Sequence, residues 1–483
     1  MQLLQQNVAT NNHCLSSVAA SFCFVLPTDT CTCKRIKPSM LNFPMRTLQA
    51  SFFFSVLLTA FLSTATAQSS PRLATVPPEE VGLSSARLER IDRVIQGYVD
   101  RKEAAGAVGL VARRGKIAYL KSWGDQDRQA GTAMSDDTIF RIYSMSKPIT
   151  AVAVMMLYEE GYFTLNDPVA KFLPELASMQ IQTETRNPDT KEITTNNRPA
   201  KHLITIRDLL RHTAGFSYGI FGNTKVDQQY RKAGILTEDE TLEAMVSKLG
   251  KISLRFEPAT HWHYSISIDV AGRLVEVVSG MSFDQFLQQR MFAPLGMQDT
   301  GFVVPQNKTE RFAVLYTPKG GSTGRDAFLK SGPKTKKIEP LVSSDLANFQ
   351  EGTTFFSGGG GLVSTAHDYL LFCQMMLNGG QLNGTRLLSR KSVELMTTSH
   401  MHNITGFGGN GETFGLSFAI LEDLGTGGNL GTEGTYDWGG AAGTKFWIDP
   451  QEELIGIFMV QILPHRTRMG NEFRTLTYQA IDD

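Results

Sequence analysis

The sequence has no excess of charge of either sign, because 47 lysines and arginines face 47 aspartates and glutamates. Binding to a nucleic-acid backbone needs a surplus of positive charge, arranged as a basic stripe or an arginine-rich arm. Nothing in the sequence suggests such a stripe or arm. The composition therefore excludes a general nucleic-acid-binding protein and is typical of an ordinary globular chain.

Long hydrophobic runs are scarce as well. Residues 50–62 form an apolar run that follows Met45 and Arg46 and precedes the small residues 65–67. The run is shorter than the roughly 20 residues that a membrane-spanning helix needs, and this order is typical of a signal peptide. We therefore expect residues 1–67 to be a signal peptide with a start assigned upstream of the natural one. The protein is then exported, periplasmic or extracellular, and has no stable membrane anchor.

Cysteine is rare, and four of the five cysteines, Cys14, Cys23, Cys31 and Cys33, lie in this leader. Removal of the leader leaves Cys373 alone, which excludes an internal disulfide. Cys373 lies in an apolar stretch, where we expect a buried, inert thiol rather than a nucleophile. The close pair in the leader has no second pair downstream, so it does not indicate a zinc site.

The predicted secondary structure changes along the chain. Short apolar runs typical of strands lie near both ends, within residues 107–120 and 416–460, and helical periodicity fills the middle. This order predicts an antiparallel sheet flanked by the first and last helices, with a helical insertion beside it. We place a discontinuous α/β domain at residues 78–142 and 350–483, and a mainly helical domain at 143–349.

The sharpest chemical motif is the S-x-x-K pattern of Ser144 and Lys147, at the start of a helix predicted over residues 144–162. A serine and a lysine three residues apart share one helical face, so the amine can take the proton of the hydroxyl. The free N–H groups of the helix end could also stabilise an oxyanion. A second match at residues 331–334 lies in a glycine- and lysine-rich loop, which cannot align the pair.

Metal and phosphate sites have little support in the sequence. His261 and His263, like His400 and His402, lack the further ligands of a zinc hydrolase, and there is no H-E-x-x-H motif. No G-K-[ST] follows the glycine run at residues 358–361, and close packing of backbone against a helix explains that run better. We therefore expect neither a metal nor an organic cofactor.

Four motifs occur together in this sequence: Ser144-x-x-Lys147, His212-Thr213-Ala214-Gly215-Phe216, Tyr264-Ser265 and Trp438-Gly439-Gly440. In combination they resemble the motifs of serine β-lactamase-like hydrolases, which include the class C β-lactamases and, more closely, the family VIII carboxylesterases. The similarity runs from about Pro78 to the C-terminus. It implies the β-lactamase/transpeptidase-like fold, with the active site in the crevice between an α/β domain and a helical domain.

The resemblance also implies a role for each matching residue. Ser144 would be the acylated nucleophile, Lys147 a proton acceptor, and Tyr264 the phenol that relays protons to the leaving group. The oxyanion hole would consist of the backbone N–H groups of Ser144 and Ala441. The substrate-binding residues would be Trp438, Gly439 and Gly440.

Two departures from the class C pattern point towards esters. Ile266 stands where those enzymes have the asparagine of Y-x-N, so the amide that would bind a β-lactam side chain is missing. Trp438 stands where they have the lysine of K-T-G, and the lost charge-assisted hydrogen bond is worth about 1.5–3 kcal/mol. We do not expect Lys445 to replace that lysine, because along one continuous strand it would lie far from Trp438 on the opposite face.

We therefore expect an exported serine hydrolase, a carboxylesterase that cleaves small or short-chain esters through an acyl-enzyme on Ser144. The alternatives within the superfamily are a β-lactamase, a D-amino-acid peptidase and an acyltransferase. A non-catalytic cell-wall-binding scaffold is the alternative from another class, although a scaffold has no chemical need for Ser144, Lys147 and Tyr264 together. The expected partner is a small-molecule ester or amide, and the sequence leaves the acyl chain, the alcohol and the oligomeric state open.

Overall fold

A computed structural model describes residues 73–237, 240–320, 337–341, 349 and 351–483. The predicted signal peptide with its four cysteines, and the second S-x-x-K match, lie outside the described residues. No helix within these ranges is long and apolar enough to cross a membrane.

The strands of the main sheet come from the two ends of the described chain, and most helices lie between them. The α-helices of the described residues are α1 (Ser85–Asp100), α2 (Ser146–Glu159), α3 (Ile206–Leu210), α4 (Lys225–Lys232), α5 (Leu242–Leu249), α6 (Ser267–Ser279), α7 (Phe283–Leu287), α8 (Ala293–Leu295), α9 (Ala366–Leu377), α10 (Arg390–Met396), α11 (Leu424–Gly427) and α12 (Met469–Tyr478). The strands are β1 (Gly106–Arg113), β2 (Lys116–Asp127), β3 (Thr132–Ala133), β4 (Phe140–Arg141), β5 (Gln180–Arg186), β6 (Ile193–Pro199), β7 (Tyr316–Pro318), β8 (Ile338–Pro340), β9 (Val363–Ser364), β10 (Gln381–Leu382), β11 (Thr385–Arg386), β12 (Glu412–Phe414), β13 (Ala419–Leu421), β14 (Tyr436–Gly439), β15 (Lys445–Asp449) and β16 (Leu454–Met459).

One eight-stranded sheet has the order β12-β13-β14-β15-β16-β1-β2-β3, and its neighbouring strands are antiparallel. Strands β1 and β16, from opposite ends of the chain, pair at its centre with Val108 opposite Met459. The predicted antiparallel sheet built from both ends is therefore confirmed. The boundaries of the two predicted domains stay a prediction.

The sheet is buried on both faces at β1. For this reason β1 is apolar at nearly every position. Successive side chains of a strand point to opposite faces. Val108 and Leu110 belong to the core shared with α2, α6 and α9, whereas Ala107 and Val111 belong to the core under α1 and α12. Ser84 caps the N-terminus of α1, because its side chain accepts a hydrogen bond from the N–H of Arg87.

Helix α2 is buried on every side from Ser146 to Leu157. A helix that is apolar all round is stable only inside a protein. Helix α6 packs directly against it. The contact brings the residues just before α6 close to the residues that begin α2.

Strands β5 and β6 form a hairpin that is joined by residues 187–192. A strand predicted from Leu416 begins only at Ala419, because Ser417 has a positive φ of 69° that interrupts extended backbone.

Gly456 of β16 lies opposite Trp447 of β15, whose indole is fully buried. A Cβ at Gly456 would lie 2.1 Å from Cζ2 of Trp447. We expect Gly456→Ala to lower the free energy of unfolding by about 1–3 kcal/mol, as is usual for an overpacked core. Urea unfolding measures the effect. Gly301→Ala is the matched control, because its Cβ would have no neighbour closer than 3.8 Å, and an equal loss in both variants would contradict the steric explanation.

Candidate active site

Ser144 lies in a short 3₁₀ turn, Tyr143–Met145, that leads into α2. Tyr143 has a positive φ of 43°, a left-handed conformation that costs an ordinary residue about 1–2 kcal/mol. The predicted helix start at Ser144 is therefore wrong by two positions, and α2 begins at Ser146. The tighter turn arises because the N–H of Met145 donates to the carbonyl of Ile142 at 3.0 Å.

Lys147 is almost completely buried, with 1% of its surface exposed. Its Nζ donates to Ser144 Oγ at 3.1 Å, to the hydroxyl of Tyr218 at 3.0 Å and to the carbonyl of Gly359 at 2.5 Å. A buried amine needs such partners, because its loss of hydration is otherwise uncompensated. The three partners fix the Lys147 nitrogen beside the Ser144 hydroxyl.

Tyr264 lies on the other side of the same hydroxyl. Its OH donates to Ser144 Oγ at 2.6 Å, and Lys147 Nζ lies 4.7 Å from the centre of its ring. The rings of His212 and Trp438 pack around it at centroid distances of 4.9 and 5.7 Å. The structure thus brings together Ser144, Lys147 and Tyr264, as predicted, although it does not test their chemical roles.

Tyr218 is a member of this cluster that sequence reasoning missed. Burial, together with the nearby Tyr264 and Asp269, raises its pKa well above the ordinary value of a phenol. Its hydroxyl is therefore protonated at neutral pH while its oxygen accepts the hydrogen bond from Lys147. The only signal in the sequence is its position shortly after the motif at residues 212–216, and no periodicity links it to Lys147.

The Trp438–Gly440 segment extends from the sheet and lies beside the cluster around Ser144. Strand β14 ends at Gly439, and a Cβ on Gly440 would lie 2.5 Å from the carbonyl oxygen of Ile142. Glycine is required at Gly440 because a larger residue would push the segment away from the chain that leads into Ser144. Ala441 follows directly and shares a cavity wall with Ser144.

Other reactive side chains lie in different surroundings. His263 contacts Arg255 with its Nε2 at 3.4 Å, and burial, followed by the charge of Arg255, lowers the pKa of His263 to about 4. The buried Cys373 has a thiol pKa raised by burial, which confirms the predicted buried thiol. Among the described residues, no group of three or more His, Cys, Asp or Glu side chains could hold a metal.

The family model described as Beta-lactamase matches residues 91–479 of the chain. The chain belongs to the β-lactamase family. Esterase EstB of Burkholderia gladioli is 30% identical over 384 residues, which cover 78% of this chain and 91% of EstB. A protein of Salmonella agona, named as a candidate D-alanyl-D-alanine carboxypeptidase, is 26% identical over 85% of this chain and 90% of its own length.

A solved structure gives the same result for the fold of this β-lactamase-family protein. EstCE1, titled a hydrolase with promiscuous acyltransferase activity, superimposes with a TM-score of 0.66 and 25% identity. The match covers 81% of this chain and 99% of EstCE1. The predicted fold is confirmed, and the chain is a serine hydrolase of the β-lactamase fold.

A cavity of about 660 Å³ opens over Ser144 in this hydrolase. Its aromatic lining consists of Phe221, Tyr264, Phe407 and Trp438. The polar side chains of the lining include Glu412, Asp437, Lys445, His465, Thr467 and Asn471. An acyl or alcohol group of an ester in this cavity can therefore contact both aromatic rings and polar groups.

The position of Lys445 corrects the sequence analysis. The chain turns back between β14 and β15, so Lys445 pairs with Gly439 on the neighbouring strand instead of lying farther along the strand of Trp438. Its side chain lines the cavity, and its Nζ donates to Asn471 Oδ1 at 3.4 Å. The expected long distance between Lys445 and Trp438 is therefore wrong, because the chain turns between them. The expected opposite face is confirmed by the register, since Trp438 pairs with Phe446 and Lys445 with Gly439.

Proposed function

We propose that this hydrolase is an exported carboxylesterase that cleaves small esters through an acyl-enzyme on Ser144. The observation that carries the proposal is the position of Ser144 Oγ, which accepts hydrogen bonds from both Lys147 and Tyr264 at the wall of a partly aromatic cavity. Two proton-transfer groups on one hydroxyl are the arrangement that an activated serine nucleophile needs.

In the proposed reaction, Ser144 Oγ attacks the ester carbonyl carbon while its proton passes to the Lys147 nitrogen. The bond between the acyl carbon and the alcohol oxygen then breaks, and the alcohol leaves with a proton from the Tyr264 hydroxyl. Lys147 returns its proton to Tyr264. Water then attacks the acyl-enzyme, gives its proton to the same pair, and releases the acid with Ser144 restored.

The oxyanion would be stabilised by the backbone N–H groups of Ser144 and Ala441. Both residues line the cavity, one at the turn before α2 and the other directly after the Trp438–Gly440 segment. A donor of this kind is worth about 3 kcal/mol in the transition state. The close approach of Gly440 to Ile142 supports this pairing of two distant chain segments.

The residues expected around the acyl group support esters rather than β-lactams as substrates. Ile266 is fully buried, and the hydroxyls of Ser265 and Ser267 bond to each other at 2.8 Å. This segment therefore presents no amide to a β-lactam side chain. Trp438 adds an indole to the cavity, and EstB and EstCE1, an esterase and a hydrolase by their names, support the same assignment.

Export is proposed from the predicted signal peptide at residues 1–67, which lies outside the described residues. EstCE1 also favours a test for acyl transfer, because its title names that activity. Product analysis with an added alcohol separates transfer of the acyl group from hydrolysis.

A carboxypeptidase or β-lactamase is the second candidate, and Lys445 is the observation that favours it. Its ammonium lines the cavity next to Asn471, where a substrate carboxylate could bind. The Salmonella relative named as a candidate carboxypeptidase agrees with this possibility. The two candidates differ in whether turnover depends on a carboxylate in the substrate.

A paired assay separates the two candidates. We expect kcat/KM for a chromogenic cephalosporin to be lower than that for p-nitrophenyl butyrate by about a hundredfold or more, equivalent to about 2.8 kcal/mol. The matched variant is Lys445→Met, which we expect to leave the butyrate rate unchanged. Comparable rates on the two substrates, together with a loss of cephalosporin turnover in Lys445→Met, would favour the carboxypeptidase or β-lactamase.

A further inference from the structure

Asp269 is a fully buried carboxylate in the first turn of α6 that the proposed reaction does not use. Its Oδ1 accepts hydrogen bonds from Ser357 Oγ at 2.5 Å and from the N–H of Gly359 at 3.0 Å. Ser357 directly precedes the glycine run at residues 358–361, and Gly359 belongs to it. The carboxylate therefore holds this run against α6 from one side.

The glycine run fits because two of its residues have no side chain. A Cβ at Gly358 would lie 2.7 Å from the carbonyl oxygen of Ile268, and one at Gly359 would lie 2.5 Å from Oδ2 of Asp269. The backbone can come this close only as glycine. The sequence-based expectation that the run packs tightly against a helix is confirmed.

The other side of the run contacts α2 through its carbonyl groups. Gly358 accepts a hydrogen bond from Thr150 Oγ1 at 2.8 Å, and Gly359 accepts the bond from Lys147 Nζ at 2.5 Å. The Gly359 residue thus joins Asp269, through its N–H, to Lys147, through its carbonyl group. Gly359 is therefore the hydrogen-bonded link between Asp269 and Lys147, in addition to the direct charge interaction of the two side chains.

We propose that Asp269 is a positioning residue, which fixes the Gly359 carbonyl so that Lys147 Nζ is held at Ser144; this role rests on the proposed function. A lysine side chain has many rotamers, so an amine that lacks one of its three acceptors samples other orientations. Nucleophile activation depends on that orientation, whereas the packing of substrate in the cavity does not. Loss of Asp269 should therefore lower kcat and leave KM unchanged.

The test compares Asp269→Ala and Asp269→Asn with wild type in the full-length protein. Two rates are measured, the labelling of Ser144 by a fluorophosphonate and the turnover of p-nitrophenyl butyrate, with the melting temperature as a check of folding. We expect Asp269→Ala to slow labelling and kcat by about 10- to 100-fold. Asparagine keeps the acceptor oxygen, so we expect Asp269→Asn to recover most of the rate.

Asp368 is the matched control, because it is also buried and accepts one backbone N–H, from Asp299, and one hydroxyl, from Thr300. We expect Asp368→Ala to lower the melting temperature and leave the labelling rate of the folded protein unchanged. Equal slowing in the two alanine variants, or wild-type labelling in Asp269→Ala, would overturn the positioning role.

If Asp269→Ala does not fold, Gly359→Ala replaces it in the test, since its Cβ would lie 2.5 Å from Oδ2 of Asp269 and must shift either the carboxylate or the segment, which breaks the contact between them. Wild-type labelling in that variant overturns the proposal, and slowed labelling with unchanged KM supports it. Failure of the proposed function is a different result: wild-type protein would then hydrolyse the ester without being labelled at Ser144.

Discussion

Ser144→Ala is expected to lower kcat/KM for p-nitrophenyl butyrate by at least about 10⁴-fold. The substitution removes the oxygen on which Lys147 and Tyr264 converge, and neither of those groups can form the acyl-enzyme in its place. Only binding and oxyanion stabilisation would remain. The rate is measured from initial velocities at high enzyme concentration, with spontaneous ester hydrolysis subtracted.

Ser146→Ala is the matched control for this change. Ser146 lies two residues further on, is fully buried, and accepts a hydrogen bond from the N–H of Leu362 at 3.1 Å. We expect this variant to keep wild-type kcat/KM, with a loss of about 0.5–1.5 kcal/mol in the free energy of unfolding. Full activity in Ser144→Ala, or complete loss in Ser146→Ala only, would assign the nucleophile to another residue.

Lys147→Met and Tyr264→Phe are each expected to lower kcat by about 10²–10⁴-fold, the usual contribution of a proton-transfer group. Methionine keeps the buried aliphatic volume of Lys147 and removes its amine, while phenylalanine keeps the ring packing of Tyr264. Because the two groups act on one hydroxyl, their effects should not multiply. The double variant is therefore expected to be close to the slower single variant.

The measurement is a double-mutant cycle on kcat, with melting temperatures recorded for all four proteins. Losses that multiply in full would mean that Lys147 and Tyr264 act independently, without the proton relay between them. A wild-type kcat in either single variant would remove that residue from the proposed mechanism.

The sequence predicted the parts of the fold and site that depend on short spacing. A short apolar run predicted β1, and three-residue spacing placed Lys147 beside Ser144. Both depend on residues close in sequence, because a short apolar run is typical of a buried strand and residues three apart share one face of a helical turn. Tyr264 came from the resemblance to known hydrolases, because spacing alone cannot bring it to a serine 120 residues earlier.

The parts that the sequence did not predict are long-range contacts made by loops. Tyr218 and Gly359 meet Lys147 across 71 and 212 residues of sequence. Neither residue lies in a periodic segment, so no pattern connects them to α2. The wrong distance expected between Lys445 and Trp438 has the same cause. The turn between β14 and β15 pairs the two strands, and residue spacing alone does not predict that turn.

The most direct test of the central claim is to map the adduct of a fluorophosphonate on the purified protein. Trypsin cleaves after Arg141 and not before Pro148, so one peptide carries both Ser144 and Ser146, and fragmentation must distinguish them. We expect one adduct, on Ser144, in the wild type and in Ser146→Ala, and none at this peptide in Ser144→Ala. An enzyme that hydrolyses p-nitrophenyl butyrate but is unlabelled, or labelled at another residue, would contradict the acyl-enzyme on Ser144. A protein that is neither labelled nor active would instead be the non-catalytic scaffold.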